Sequence, residues 1–172
     1  SGVQIVQSYA DFIKASAHLK RTTSLPYFLL QDLVEGKSTS VSILSTGKRA
    51  LPLSLNLQNI GFDGGKLVYN GGKVPYEHGL SDDAKDIARK AVESGKGLKG
   101  YVGVDLLPHD AQEEIYILEI NPRLTTSYVA LRRLLNFNLG VAIIDAVNGE
   151  LPAKIELESS LSFLKGDDIT FK

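Results

Sequence analysis

Cysteine does not occur anywhere in the 172 residues, which excludes disulfides, zinc ribbons and thiol nucleophiles. Methionine and tryptophan are absent too, and histidine occurs three times, at His18, His78 and His109, with no pair at metal-binding spacing. His18 falls on a predicted helix and His109 in a turn, so solvated histidines are expected. No apolar run reaches the roughly 18 residues of a membrane span, and no secretory signal is visible. Charge of neither sign dominates: 19 Lys and Arg against 20 Asp and Glu leave a net charge of −1. That balance gives no reason to expect nucleic acid or an anionic membrane as partner. What remains is ordinary globular composition, 43% hydrophobic and 23% charged. A chain of this length buries roughly 70% of its unfolded surface as one domain. These features fit a cytoplasmic protein.

Hydrophobic periodicity divides the chain into elements. "SYADFIKASAHL" (8–19) predicts a helix, with Ser8 as N-cap and Phe12, Ile13, Ala15 and Leu19 at helical spacing. Thr22 to Pro26 predicts a turn. "YFLLQDLVEG" (27–36) predicts a buried strand, and "STSVSILS" (38–45) a half-buried one that alternates hydroxyls with Val41 and Ile43. "ALPLSLNLQNI" (50–60) places Leu51, Leu53, Leu55 and Leu57 on one face and Ser54, Asn56 and Gln58 on the other. The glycine-rich stretch after it predicts turn and loop with a short strand at 66–69. Ser81 is predicted to cap a helix that closes near Gly95 or Gly97. Strands at 99–107 and 115–121 form an antiparallel hairpin. Helices follow at 125–135, capped by Thr125 to Ser127, and at 140–148, and the tail offers a strand at 153–157. Antiparallel strands with helices inserted between them argue for an α+β fold in one unit.

"ILEINPRLTTS" (117–127) carries the chemistry. Alternation puts Ile115, Ile117, Glu119 and Asn121 on one face of the strand. Asp105 interrupts the apolar partner strand in the same way, and a loop near 109–114 would bring Asp105 opposite Glu119. Two neighbouring carboxylates removed from water cost several kcal/mol unless a cation joins them. Asp, Glu and Asn offer only oxygen donors, which suits Mg²⁺ or Mn²⁺ and not zinc. The competing reading has Glu119 at a strand end, paired with Arg123 on the surface. Spacing alone leaves both open.

These residues resemble the end of the ATP-grasp domain, the fold of D-alanine–D-alanine ligase and biotin carboxylase. In that family an Asp on one strand and an E-x-N pair on the next hold the Mg²⁺ ions that bridge the ATP phosphates. Asp105, Glu119 and Asn121 match those positions, and Arg123 matches an arginine that lies beside the acyl phosphate. "YFLLQDLVEGKSTSVSIL" resembles the family's hinge beside adenine. The resemblance implies nucleotide contacts at Gln31, Asp32, Leu33, Val34 and Glu35, with Ser38 where the ribose-binding carboxylate usually stands. Glu35 could serve for it. Asn56, Gln58, Gly71, Gly72 and Pro75 are similar to a branch of archaeal and methylotroph ligases that includes tyramine–glutamate ligase.

The family likeness implies largely antiparallel sheets with flanking helices, ATP and Mg²⁺ (or Mn²⁺) as cofactors, and ligation of a small carboxylate to an amine. A non-catalytic nucleotide-binding domain and an ATP-grasp carboxylase are the rival readings. Ser1 and Gly2 resemble the end of the small-residue loop that closes over the phosphates, so residues 1–172 read as an ATP-grasp domain that begins inside that loop. The N-terminal remainder of the same protein is then expected to supply phosphate-binding lysines, which Lys14, Lys20 and Lys37 do not match.

Overall fold

The computed structural model describes residues 3–63, 66–166 and 168–171. Ser1 and Gly2, read above as loop residues, lie outside them. The element order is α1 (Tyr9–Thr22), β1 (Thr39–Thr46), β2 (Ala50–Asp63), β3 (Lys66–Val74), α2 (Ser81–Ser94), β4 (Lys99–His109), β5 (Glu114–Asn121), α3 (Tyr128–Leu134), α4 (Leu139–Asn148), β6 (Leu161–Lys165) and β7 (Ile169–Phe171). The strands form a seven-stranded sheet in the order β5-β4-β1-β2-β3-β6-β7. Every pairing whose register is resolved is antiparallel. This is the expected α+β architecture. The chain divides into two compact units, one from Ser1–Val34 and Ile60–Tyr69, the other from Glu35–Asn59 and Asn70–Lys172.

In the first unit, Ser8 caps α1 as expected, accepting a hydrogen bond from the Asp11 amide at 3.1 Å. The helix runs on to Thr22, past the predicted end, and only Ala15 is buried. Residues 27–35 do not form the predicted strand. Leu29, Leu30 and Leu33 are exposed there, as is Tyr27. An apolar run becomes a buried strand only when a ladder and a covering layer meet it, and no strand pairs with this run among the described residues.

In the second unit, β1 is fully buried rather than half-buried. It lies between β4 and β2, and both of its faces are covered. On one face Val41 and Ile43 join Leu55, Val102, Val104 and Leu106 against Ala84, Ala88 and Val92 of α2. On the other, Tyr101 meets Tyr128 at the start of α3 edge-on, with ring centroids 6.1 Å apart. Helix α4 also packs against β1 and β4. The small residues of α2 let it approach the sheet closely, and Asp82 and Asp83 in its first turn favour the helix N-terminus. Ser81 is its first residue and not its cap: the hydroxyl accepts the His78 amide instead, at 3.0 Å.

Several other expectations change. A bulge opposite Ser42/Ile43 pairs Ile43 with Pro52 and Val41 with Leu55, so Leu53 is the extra residue. Leu51 therefore pairs with Leu44 on the opposite face from Leu55, and the four leucines do not share one face. Proline has no amide to give the ladder, which makes this a natural place for the irregularity. The glycine-rich stretch is mainly strand, with β2 and β3 running through it. Helix α3 is shorter than predicted, and Ser127 gives it no side-chain cap. The tail strand at 153–157 is replaced by one bridge, Leu135 to Leu157, and by β6 and β7, where Phe163 is the buried anchor. The His78 side chain is buried, with Nε2 3.1 Å from Asp110, and His109 is half-buried with its Nδ1 shut off from solvent, so neither is the freely solvated imidazole expected.

Candidate functional site

The β4–β5 hairpin turns at residues 110–113 and sets Asp105 directly opposite Glu119, with Gly103 opposite Asn121. Asp105, Glu119 and Asn121 thus lie on one face of the sheet, away from the α2 core that holds Val104, Leu106 and Ile120. A second bulge, between Asp105/Leu106, makes Leu118 the extra residue of β5. Ile117 pairs with Leu106 and so does not share the face of Glu119, contrary to simple alternation. The face continues across the sheet in two register rows. Glu119, Asp105, Ser40 and Asn56 form one row; Asn121, Gly103, Ser42 and Ser54 form the next.

Asp105 is half-buried, and both of its carboxylate oxygens accept hydrogen bonds. Gln58 Nε2 donates to Oδ1 at 2.9 Å and Asn121 Nδ2 donates to Oδ2 at 3.1 Å. Burial still raises the carboxyl above the ordinary aspartate range, helped by the charge of Glu119 and opposed by Gln58, Arg123 and Asn121. Glu119 is exposed on the edge strand, whereas Asn121 is buried. An ionised pair of this kind is relieved by a hard divalent cation, and its all-oxygen donor set fits Mg²⁺ or Mn²⁺. Among the described residues no group of three His, Cys, Asp or Glu side chains could hold a metal ion; beside Asp105 and Glu119 the face offers the Asn121 amide, whose Oδ1 is the oxygen left after Nδ2 donates to Asp105.

Arg123 follows two residues later, exposed, in a turn closed by its own amide donating to the Asn121 carbonyl at 2.8 Å. Its guanidinium donates to the Leu124 carbonyl at 3.3 Å, and its charge reaches Asp105. The structure therefore brings together Asp105, Glu119, Asn121 and Arg123. Gln31, Asp32, Leu33 and Val34 belong to the first unit, in a segment without helix or strand. Glu35 and Ser38 belong to the second, just ahead of β1, where the Ser38 carbonyl accepts the Gln58 amide at 2.8 Å. Gln58, named above for its strand face and its family likeness, is also the partner of Asp105. The signal available was its place on the polar face of β2, two residues from Asn56.

A family model described as the ATP-grasp domain matches residues 7–127. Two curated relatives, each named tyramine–L-glutamate ligase, come from Methanocaldococcus fervens and Methanocaldococcus jannaschii. The first is 45% identical over 129 residues, covering 75% of this chain and 41% of its own length. The second is 42% identical over 132 residues, covering 76% of this chain and 40% of its own. The chain thus spans about two fifths of the curated relatives it matches. Among solved structures, biotin carboxylase from Campylobacter jejuni matches 95% of this chain and 38% of its own with a TM-score of 0.75. At 12% identity that likeness concerns the fold alone. With the family model spanning well over half of its residues, this chain belongs to the ATP-grasp family.

Proposed function

We propose that this chain is the ATP-binding, catalytic part of a carboxylate–amine ligase that works through an acyl phosphate. The observation that carries the reading is the convergence of Asp105, Glu119 and Asn121 on one sheet face, with Arg123 beside them. Asp105, Glu119 and Asn121 would hold Mg²⁺ (or Mn²⁺), which when bound supplies charge neutralisation to the ATP phosphates. Gln31, Asp32, Leu33 and Val34 would meet adenine, and Glu35 or Ser38 the ribose. The substrate carboxylate oxygen attacks the γ-phosphorus, ADP leaves, and an acyl phosphate forms. The amine nitrogen then adds to the carbonyl carbon, loses a proton, and expels inorganic phosphate to leave an amide. Arg123 would stabilise the acyl phosphate and the oxyanion that develops on its carbonyl, a task of positioned charge. The names of the curated relatives support an amino-acid carboxylate of the glutamate type and an arylethylamine of the tyramine type.

The test is phosphate release by the full-length protein given ATP, Mg²⁺, glutamate and tyramine, with amide product identified by mass. Glu119→Gln, which removes charge and keeps volume, should abolish Mg²⁺-dependent turnover without unfolding the protein. Undiminished release would overturn the metal role. Arg123→Ala should lower kcat strongly and nucleotide affinity little, because the acyl phosphate assigned to it arises only during the reaction. Equal losses in both would make Arg123 an ATP-binding residue only.

A further inference from the structure

The two-row polar face extends well beyond the metal candidates, into the interior. Ser42, Ser54, Asn56 and Tyr101 are all buried, and Asn56 is fully so. Their polar atoms form one continuous chain. Ser54 Oγ donates to Asn56 Oδ1 at 2.6 Å, and Asn56 Nδ2 donates to Ser42 Oγ at 2.9 Å. Ser42 Oγ shares a hydrogen with Tyr101 OH at 2.7 Å, and Tyr101 OH meets Thr125 Oγ1 at 3.1 Å. Apolar side chains of similar size would fill this space without any need for partners, so the polar set is not what packing by itself selects. The chain ends at Thr125, two residues after Arg123. A second contact holds Thr125 from below: a Cβ on Gly103 would lie 2.3 Å from Thr125 Cγ2, so the methyl occupies the space that glycine leaves open.

We propose that the Tyr101 hydroxyl, itself oriented by Ser42 and Asn56, is a positioning group. By hydrogen-bonding Thr125 it fixes residues 121–127 and so holds Arg123 at its place beside Asp105. The catalytic consequence rests on the ligase reading above; the fixing of the loop does not. The Tyr101 hydroxyl bonds Ser42 and Thr125 and not the groups assigned to the metal, and the role of the Tyr101–Thr125 contact is to limit where Arg123 can go.

Two measurements on the full-length protein separate these statements. Arg123 and Leu124 are exposed, so trypsin cleavage after Arg123 reports how firmly the loop is held. Thr125→Val keeps the shape and removes the hydroxyl; Thr125→Ser keeps the hydroxyl. The valine variant and Tyr101→Phe should each speed that cleavage and lower kcat about ten- to a hundredfold, with the KM for ATP little changed. Thr125→Ser should retain most of both properties. The double variant should be no worse than either single one, since both remove the same contact. Cleavage rate and kcat at unaltered levels in Thr125→Val would overturn the proposal, as would additive losses in the double variant. A full-length protein that makes no amide would refute the ligase reading, and the cleavage rates would still decide whether the loop is fixed in this way.

Discussion

Asp105 is the residue on which most of the site's electrostatics turn. Its folded carboxyl is raised above the ordinary range, chiefly by burial. Below the ordinary aspartate range it is protonated in both folded and unfolded chains and contributes nothing. As pH rises through that range toward the raised folded value, the unfolded chain gives up its proton first, and stability is lost. Above the folded value the loss is complete and constant. Asp105→Asn should therefore gain stability over the unaltered chain as pH rises through this window, read as a growing difference in melting temperature. A difference that shrinks with rising pH would show that Gln58 and Asn121 outweigh the burial. Mg²⁺ should narrow the gap at neutral pH, because a cation that binds only the folded carboxylate stabilises it by mass action. That Asp105, Glu119 and Asn121 share one face of the sheet was legible from strand alternation. The donor from Gln58 was not, because nothing in the order of residues says how far β2 slides along β1.

At the level of elements, the two bulges are the features that sequence periodicity misses. Leu53 and Leu118 each add a residue to one strand only, and each reverses the facing of everything on one side of it. Alternation therefore assigned Glu119 and Asn121 correctly, yet misplaced Ile117 and Leu51. The β3–β6 pairing depends on a different local demand. Gly71 has φ of +130°, and a Cβ there would lie 2.1 Å from the Phe163 carbonyl oxygen. Gly71 pairs with Leu164 in the ladder, so the backbone cannot move aside without breaking it. Gly71→Ala should cost more than the ~1 kcal/mol typical of a single substitution, and a denaturant midpoint close to that of the unaltered chain would contradict this. Ala88→Leu should cost about 1–3 kcal/mol by a different route, since Ala88 is fully buried where α2 meets the sheet. Circular dichroism during chemical unfolding measures both.

On the scale of the whole molecule, the candidate metal face lies in the second unit while the first four of the expected nucleotide contacts lie in the first. The exposed Leu29, Leu30 and Leu33 are the apolar surface of residues 27–35, and among the described residues no strand pairs with that segment. Among these residues, too, no helix is long and apolar enough to cross a membrane. In the ligase reading proposed above, lysines in the part of the relatives that this chain does not cover would meet the phosphates, with a direct consequence. Loss of a buried lysine–phosphate contact costs a few kcal/mol, or about a hundredfold in affinity. Calorimetric titration of residues 1–172 with Mg-ATP should accordingly give binding much weaker than micromolar. Micromolar affinity would mean that this chain holds the phosphates unaided.

Residue order alone was enough for the α+β class, the β4–β5 hairpin, the capped start of α1 and the convergence of Asp105, Glu119 and Asn121. All of these follow from local rules: period, turn length and capping chemistry operate within a few residues of one another. Tertiary structure alone decided that β1 is buried on both faces, that 27–35 is not a strand, and that the hydroxyls of Ser42 and Ser54 point inward to Asn56 and Tyr101. A serine alternating with valine reads as a solvent-facing strand, and only the layer packed over it reveals the opposite. Burial depends on what covers a face, and covering residues come from positions far away in the chain. For the polar chain that ends at Thr125, those positions are Ser42, Asn56, Tyr101 and Thr125, brought together by three strands and the loop after a fourth.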